Sequence, residues 1–202
     1  MKIIGITGGV GAGKTMLLHY IETHYLCRVI YADLAAKKLQ EKGAACYEAL
    51  VELLGGSVLC DDGSIDKGKM AQKIFHDDRL IKAVNAIVHP TVKQFILAEI
   101  AKERHAPCVD YFFVEGALLI EEHYDEICDE LWYVYADGHA RRKRITDTRG
   151  YTAEKADAIM KSQLSDEEFR SHCQVVIDNS GTPEEAYRQI NMQLGGMGHG
   201  LC

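Results

Sequence analysis

Residues 8–15 read Gly-Gly-Val-Gly-Ala-Gly-Lys-Thr, a full G-x-x-x-x-G-K-[ST] pattern, and nothing else in the chain restricts the fold as much. The pattern works only where a strand hands over to a helix. Its glycines let the backbone curl so that N–H groups converge on a phosphate, and the helix that follows adds a partial positive charge. The flanking residues supply that context. Ile3 to Thr7 is a short Ile-rich run ending in glycine, as a buried parallel strand should be. Leu17, Leu18, Ile21 and Tyr25 recur at helical spacing, so a helix should begin near Lys14. In such a loop Lys14 bridges the β- and γ-phosphate oxygens of a nucleotide and the Thr15 hydroxyl ligates magnesium. The competing reading is a glycine-rich turn that merely joins strand to helix, but Lys-Thr at this offset serves no turn requirement.

Downstream, Arg28 to Tyr31 reads as a second strand with Asp33 just past it, and the pattern turns helical from Leu34. Between Gly43 and about Ala106 helical patterns dominate; the one weak strand signal is Ser57 to Leu59. Pro90 has the character of a first-turn proline and opens a strong helical pattern through Val92, Phe95, Ile96 and Ile100. Strand patterns return at Val109 to Val114, Leu131 to Tyr135 and Gln174 to Ile177. Ser165 with Glu168, and Thr182 with Pro183 and Glu185, both match a capping box. Strands alternating with helices predict an α/β domain with a parallel sheet and right-handed crossovers. Trp132, Tyr133 and Tyr135 fall in a strand and read as core packing rather than a base-stacking platform.

Charge and cysteine usage remove several function classes. With 30 acidic and 23 basic residues the net charge is −7, so no global basic field recruits nucleic acid or anionic membrane and any phosphate site must be local. The seven cysteines include no C-x-x-C pair and read as reduced thiols. The first apolar run breaks into glycines too early for a signal peptide, and no stretch reaches membrane-spanning length, so the expected location is the cytoplasm. A guanine-reading N-K-x-D is absent from the sequence. Asp147 to Gly150 matches D-x-x-G, but it follows a helical Arg-rich stretch instead of a strand, and we read it as chance.

Asp33 admits two readings from the residues alone. At the carboxyl edge of the sheet it can take the proton of a substrate hydroxyl, or it can cap the helix that begins at Leu34. Further pieces bear on this choice in order along the chain: Ile6 to Thr15 (ITGGVGAGKT), Ala32-Asp33, Ile74-Phe75, Asn85 to Pro90 (NAIVHP), Ala117 to Glu121 (ALLIE), Arg144, Arg149, Gln163 and Val176 to Gly181 (VIDNSG). Together they resemble the dephospho-coenzyme A kinase family, P-loop kinases that complete coenzyme A synthesis, from Ile3 to roughly Leu194.

The resemblance implies a three-layer P-loop NTPase fold with a parallel five-stranded sheet in the order 2-3-1-4-5, a helical substrate-binding insertion and a lid. The implied organisation is a nucleotide-binding core at 1–42 and 107–194, a mainly helical substrate unit at 43–106 and a lid at 139–165; beyond the resemblance, 195–202 has too little apolar surface to pack and reads as a flexible tail. The implied reaction is transfer of the ATP γ-phosphate, with magnesium, to the 3′-hydroxyl of dephospho-coenzyme A. Asp33 becomes the base, acting with Lys14 and Arg144. Gly8, Gly9, Gly11, Ala12, Gly13, Lys14, Thr15, the Met16 backbone, Arg144, Arg149 and Asn179 become the ATP site. His89 and Leu118 fall on the substrate side, although His89 alone also fits a partly buried histidine near a helix start. Arg141 shares a helical face with Arg144 but matches the family less firmly. Glu115 and Glu121 are read first as core-edge or solvated carboxylates, with assistance to magnesium through water as the alternative. Ala117 and Lys37 depart from the family pattern, which commonly has proline and arginine there, and this bears on substrate affinity more than on reaction type. The implied partner is a small molecule, with the chain a monomer or weak homo-oligomer. A nucleoside or nucleotide kinase of the same fold and a non-catalytic nucleotide-binding switch are the rival readings.

Overall fold

A computed structural model describes residues 1–75 and 77–195. Along the chain it has β1 (Lys2–Thr7), α1 (Lys14–His24), β2 (Cys27–Tyr31), α2 (Ala32–Leu39), α3 (Tyr47–Leu54), α4 (Lys67–Ile74) and α5 (Asp78–His105). There follow β3 (Tyr111–Glu115), β4 (Glu130–Tyr135), α6 (Gly138–Arg149), α7 (Ala153–Lys161), α8 (Asp166–His172), β5 (Val175–Asp178) and α9 (Pro183–Leu194). The strands form one parallel sheet in the order β2-β3-β1-β4-β5, as expected. Two compact units result: residues 1–29 with those from 103 onward, and Ile30–Lys102.

The first unit is organised around β1, which is buried from Ile3 to Thr7 because partners cover it on both edges and helices cover its faces. Its register sets Gly5 opposite Val114 of β3 and Leu131 of β4. Glycine is required there by space: a Cβ on Gly5 would sit 2.5 Å from Leu131 Cδ2, with Leu119 and Cys128 also within 3.3 Å. Trp132 and Tyr133 of β4 are almost fully buried. Tyr133 stacks on Phe169 with ring centroids 4.6 Å apart and donates its hydroxyl to Asp166 at 2.6 Å. Burial, and then the Asp166 carboxylate, push the Tyr133 hydroxyl well above the ordinary phenol range, so it remains a donor. Both expected capping boxes are present, at Ser165 on α8 and at Thr182 on α9, where Pro183 occupies the first turn.

The second unit corrects three expectations. The helix expected to open at Pro90 begins twelve residues earlier at Asp78 and holds Pro90 in its interior. Asp77 caps it, its carboxylate accepting from Arg79 N and Leu80 N. Val84, Val88, Val92, Ile96 and Ile100 are buried on both sides of the proline, and this continuous apolar stripe offsets the one backbone hydrogen bond that proline removes. Ser57 to Leu59 is a short 3-10 turn over Gly56–Val58 plus an isolated bridge from Leu59 to Ile65, because among the described residues no second strand lies alongside to extend the pairing. The helix after β2 begins at Ala32 rather than Leu34, with Tyr31 as N-cap. Residues 196–202 of the expected tail lie outside the described residues. No helix among the described residues is long and apolar enough to cross a membrane.

The crowding at Gly5 gives a test that separates packing from strand propensity. Val is a better strand former than Gly, yet Gly5→Val should lower unfolding free energy by about 1–3 kcal/mol in a denaturant titration, since the added methyls have no room. A variant as stable as the parent would contradict the packing argument.

Candidate active site

Between β1 and α1 the backbone turns through Gly8 (φ 146°) and Gly13 (φ 92°), conformations that side-chain-bearing residues rarely adopt. A Cβ on Gly8 would meet the Val134 carbonyl oxygen at 2.5 Å, and one on Gly13 would meet Asn179 Nδ2 at 2.3 Å. Gly13 is also the N-cap of α1, so no side chain caps this helix and its first turn holds no acidic residue. By contrast α4, α6, α7, α8 and α9 are each capped by Asp, Ser or Thr. The positive end of α1 therefore stays uncompensated by the chain, as an anion site requires.

Every carbonyl from Gly8 to Gly13 accepts a hydrogen bond. Lys14 Nζ donates to Gly8 O at 2.7 Å, Ala12 N to Gly9 O at 3.1 Å, and Met16 N to Gly13 O at 3.1 Å. Arg141 Nε donates to Val10 O at 3.0 Å. Arg144 Nη1 reaches Gly11 O at 3.4 Å and Ala12 O at 3.2 Å, and Asn179 Nδ2 also donates to Ala12 O at 2.7 Å. With its carbonyls held outward, the loop presents its amides as a concave nest for an anion.

The outer supports interlock. Arg141, only 8% exposed, also donates through Nη2 to Gln163 Oε1 at 2.7 Å, and the same Gln163 oxygen accepts from Val10 N at 3.0 Å. Arg144 Nη2 donates to Asn179 O at 2.8 Å. Asn179, almost fully buried beyond β5, thus joins α6 to the loop through both its amide nitrogen and its carbonyl. On the inner side, Glu115 at the end of β3 places Oε1 3.6 Å from Lys14 Nζ, and both side chains are largely buried. The Thr15 residue is exposed in the first turn of α1.

The structure brings together Gly8, Gly9, Gly11, Ala12, Gly13, Lys14, Thr15, Met16, Arg144 and Asn179. Arg149 ends α6, and its side chain lies outside the described residues. Leu118 is exposed in the turn after β3. In the other unit, Asp33 is exposed in the first turn of α2 and is not its cap, so the capping reading of Asp33 is corrected. His89 is half-buried in the middle of α5, not at a helix start as expected. Sequence reasoning underrated two groups. Arg141, which matches the family less firmly, is more buried than Arg144, and Gln163 gains a bridging role that no local sequence pattern gives it. The spacing of Arg141 and Arg144 shows a shared helical face, but only the fold tells that this face meets the loop and that Gln163 joins it. Glu115, read first as a core-edge carboxylate, is paired with Lys14, and Glu121 is exposed. Two of the cysteines are poor nucleophiles: burial pushes Cys27 up to about 11 and Cys173 up to about 12, leaving little thiolate near neutrality.

A family model described as dephospho-CoA kinase matches residues 2–185. The chain belongs to the dephospho-CoA kinase family. A dephospho-CoA kinase from Geobacter sulfurreducens is 34% identical over 192 residues, covering 94% of this chain and 95% of the relative. One from Streptococcus pyogenes is 33% identical over 192 residues, covering 95% and 96%. Among solved structures, a Thermus thermophilus protein superposes with a TM-score of 0.79 at 27% identity, covering 96% of both chains. A shikimate kinase from Bacteroides thetaiotaomicron shares the fold alone, with a TM-score of 0.56 at 12% identity over 96% of this chain and 98% of its own. As in other kinases, ATP is the co-substrate.

The Gln163 bridge is testable in this family setting. Gln163→Ala removes the acceptor that holds Val10 N and Arg141 together and should weaken ATP binding about tenfold by equilibrium titration, with Gln163→Glu restoring most of it. Unchanged ATP affinity in Gln163→Ala would show that the loop holds its shape without the bridge.

Proposed function

We propose that this chain transfers the γ-phosphate of ATP to the 3′-hydroxyl of dephospho-coenzyme A, giving coenzyme A and ADP, the last step of coenzyme A synthesis. The family match over residues 2–185 carries this reading. The local chemistry supports it: one unit holds an amide nest with a lysine, and the other offers an exposed carboxylate at the start of a helix.

In the donor half, the amides of Gly8 to Thr15 and Met16 receive the β-phosphate. Lys14 exchanges its bond to Gly8 O for β- and γ-phosphate oxygens, and Glu115 keeps its ammonium oriented. Arg144, Arg149 and the rest of the segment 139–165 act as the lid side, adding positive charge around the transferred group. The loop at Asn179 lies on the adenine side. In the acceptor half, Asp33 accepts the hydrogen bond of the 3′-hydroxyl and takes its proton as that oxygen attacks phosphorus, while His89 and Leu118 help seat the acceptor.

Magnesium fits the donor set. Thr15 and Glu115 offer hard oxygen ligands beside Lys14, and no cluster of three or more His, Cys, Asp or Glu side chains competes for a metal among the described residues. Thr15 would hold the ion directly and Glu115 through water. When bound, it supplies charge neutralisation on the phosphate oxygens.

Asp33→Asn tests the division of roles. The variant should bind ATP within about twofold of the parent, because the nest is untouched, and lose about 10²–10⁴-fold in turnover, the range for removal of a general base. Near-parental turnover would remove Asp33 from proton transfer.

A further inference from the structure

Val10 is gripped on both of its peptides. Arg141 Nε donates to Val10 O at 3.0 Å, while Gln163 Oε1 accepts from Val10 N at 3.0 Å and from Arg141 Nη2 at 2.7 Å. The three groups close a ring in which Arg141 is only 8% exposed. A buried cation is tolerated only when its N–H groups are well bonded, and here Nε and Nη2 are both spent on neutral oxygens.

The loop makes room for this guanidinium. Gly9 and Gly11 occupy variable positions of the G-x-x-x-x-G-K-T pattern, yet neither position has space for a side chain. A Cβ on Gly9, whose φ lies outside the left-handed region, would meet Arg141 Nη2 at 2.1 Å and Cζ at 2.5 Å. One on Gly11 would meet the α6 backbone, Arg141 O at 2.7 Å and Cα at 3.2 Å. Both partners of Val10 are also fastened to the sheet. Asp137 caps α6 by accepting from Ala140 N at 2.8 Å, and Asp137 N donates to Ser180 Oγ at 2.9 Å. Gln163 lies in the turn between α7 and α8, and Tyr133 of β4 holds α8 through Asp166 and Phe169.

The direction of one amide follows. Val10 O and Gly11 N belong to a single planar trans peptide, in which C=O and N–H point opposite ways. Arg141 draws Val10 O outward, so the Gly11 N–H faces into the loop, where it donates to no protein acceptor among the described residues. Its two neighbours are already used, Val10 N by Gln163 Oε1 and Ala12 N by Gly9 O. Gly11 N is therefore left for an anion.

We infer that Arg141 is a positioning residue that aims the Gly11 amide at the phosphates of ATP, with Gln163 steadying the other side of Val10. Arg141 acts through the loop, as a fork on neutral oxygens, and not as a mobile charge that meets phosphate. The inference rests on the kinase reading above for its effect on turnover, and on nucleotide binding alone for its effect on Gly11.

Val10-Gly11 is the only Val-Gly pair in the sequence, so the full chain isotope-labelled at the valine carbonyl and the glycine nitrogen gives one carbonyl-filtered amide signal in NMR, that of Gly11. On the parent, ADP with magnesium should move the Gly11 proton signal downfield, as a new hydrogen bond to phosphate does. Arg141→Lys keeps the charge and loses the fork; Gly9→Ala keeps Arg141 and displaces it. In both, the movement should be largely lost and kcat should fall about 10²-fold, as for a group misplaced by about 1 Å. Circular dichroism checks folding, and if Arg141→Lys does not fold, Gly9→Ala, which removes no buried group, carries the test. Parental kcat with an undiminished Gly11 shift in Arg141→Lys would show that charge alone suffices and would overturn the positioning role, as would a parent Gly11 signal that ignores ADP. A shift present in the parent and lost in both variants, with dephospho-coenzyme A left unphosphorylated, would uphold the role of Arg141 and overturn the acceptor reading.

Discussion

A backbone loop binds phosphate only when its carbonyl oxygens are turned away and satisfied, since a carbonyl dipole facing the anion would repel it. The unit around β1 is arranged to meet that constraint. Arg141, Arg144 and Asn179 each donate to a loop carbonyl, Gly9 O and Gly13 O are closed by amides of the loop and of α1 itself, and Lys14 holds Gly8 O until a phosphate takes its place. Those donors come from the helix after the loop, from α6 and from the exit of β5. The sheet order is what brings them together, because β4 and β5 lie to one side of β1 and deliver α6 and Asn179 onto the loop. An arginine fixed to a carbonyl is positioned before any ligand arrives, so little reorganisation is needed when phosphate enters.

The same economy governs the two carboxylates assigned to chemistry. Glu115 sits at a strand end whose register sets it beside Ile6, and from there it holds Lys14 without occupying the nest. Asp33 lies inside the first turn of α2 while Tyr31 takes the cap position, so its oxygens are not committed to the helix's own end. A carboxylate that accepts backbone amides is a poorer base than one left to an acceptor hydroxyl.

Most of the framework around the candidate site was legible from residues alone because each part has a local cause. Gly8 to Thr15 specify a turn, Ile3 to Thr7 a buried strand, and Ser165 and Thr182 their helix starts. Legibility fell where tertiary packing overrides local preference. Pro90 carries a helix-start signal, yet a stripe of buried Val and Ile on both sides draws it into a 28-residue helix. Arg141 and Gln163 share no local pattern, being 22 residues apart, and become partners only when α6 and the turn between α7 and α8 are folded against the loop.

The most direct measurement is the position of the transferred phosphate. The protein would be incubated with ATP, magnesium and dephospho-coenzyme A, beside controls with adenosine, AMP, CMP or no acceptor, and the product examined by mass spectrometry and phosphorus NMR. The account requires one ADP released per new 3′-phosphomonoester on coenzyme A, with the controls turning over far more slowly. ADP release that is indifferent to the acceptor, or phosphate appearing on another group or on another acceptor, would contradict it.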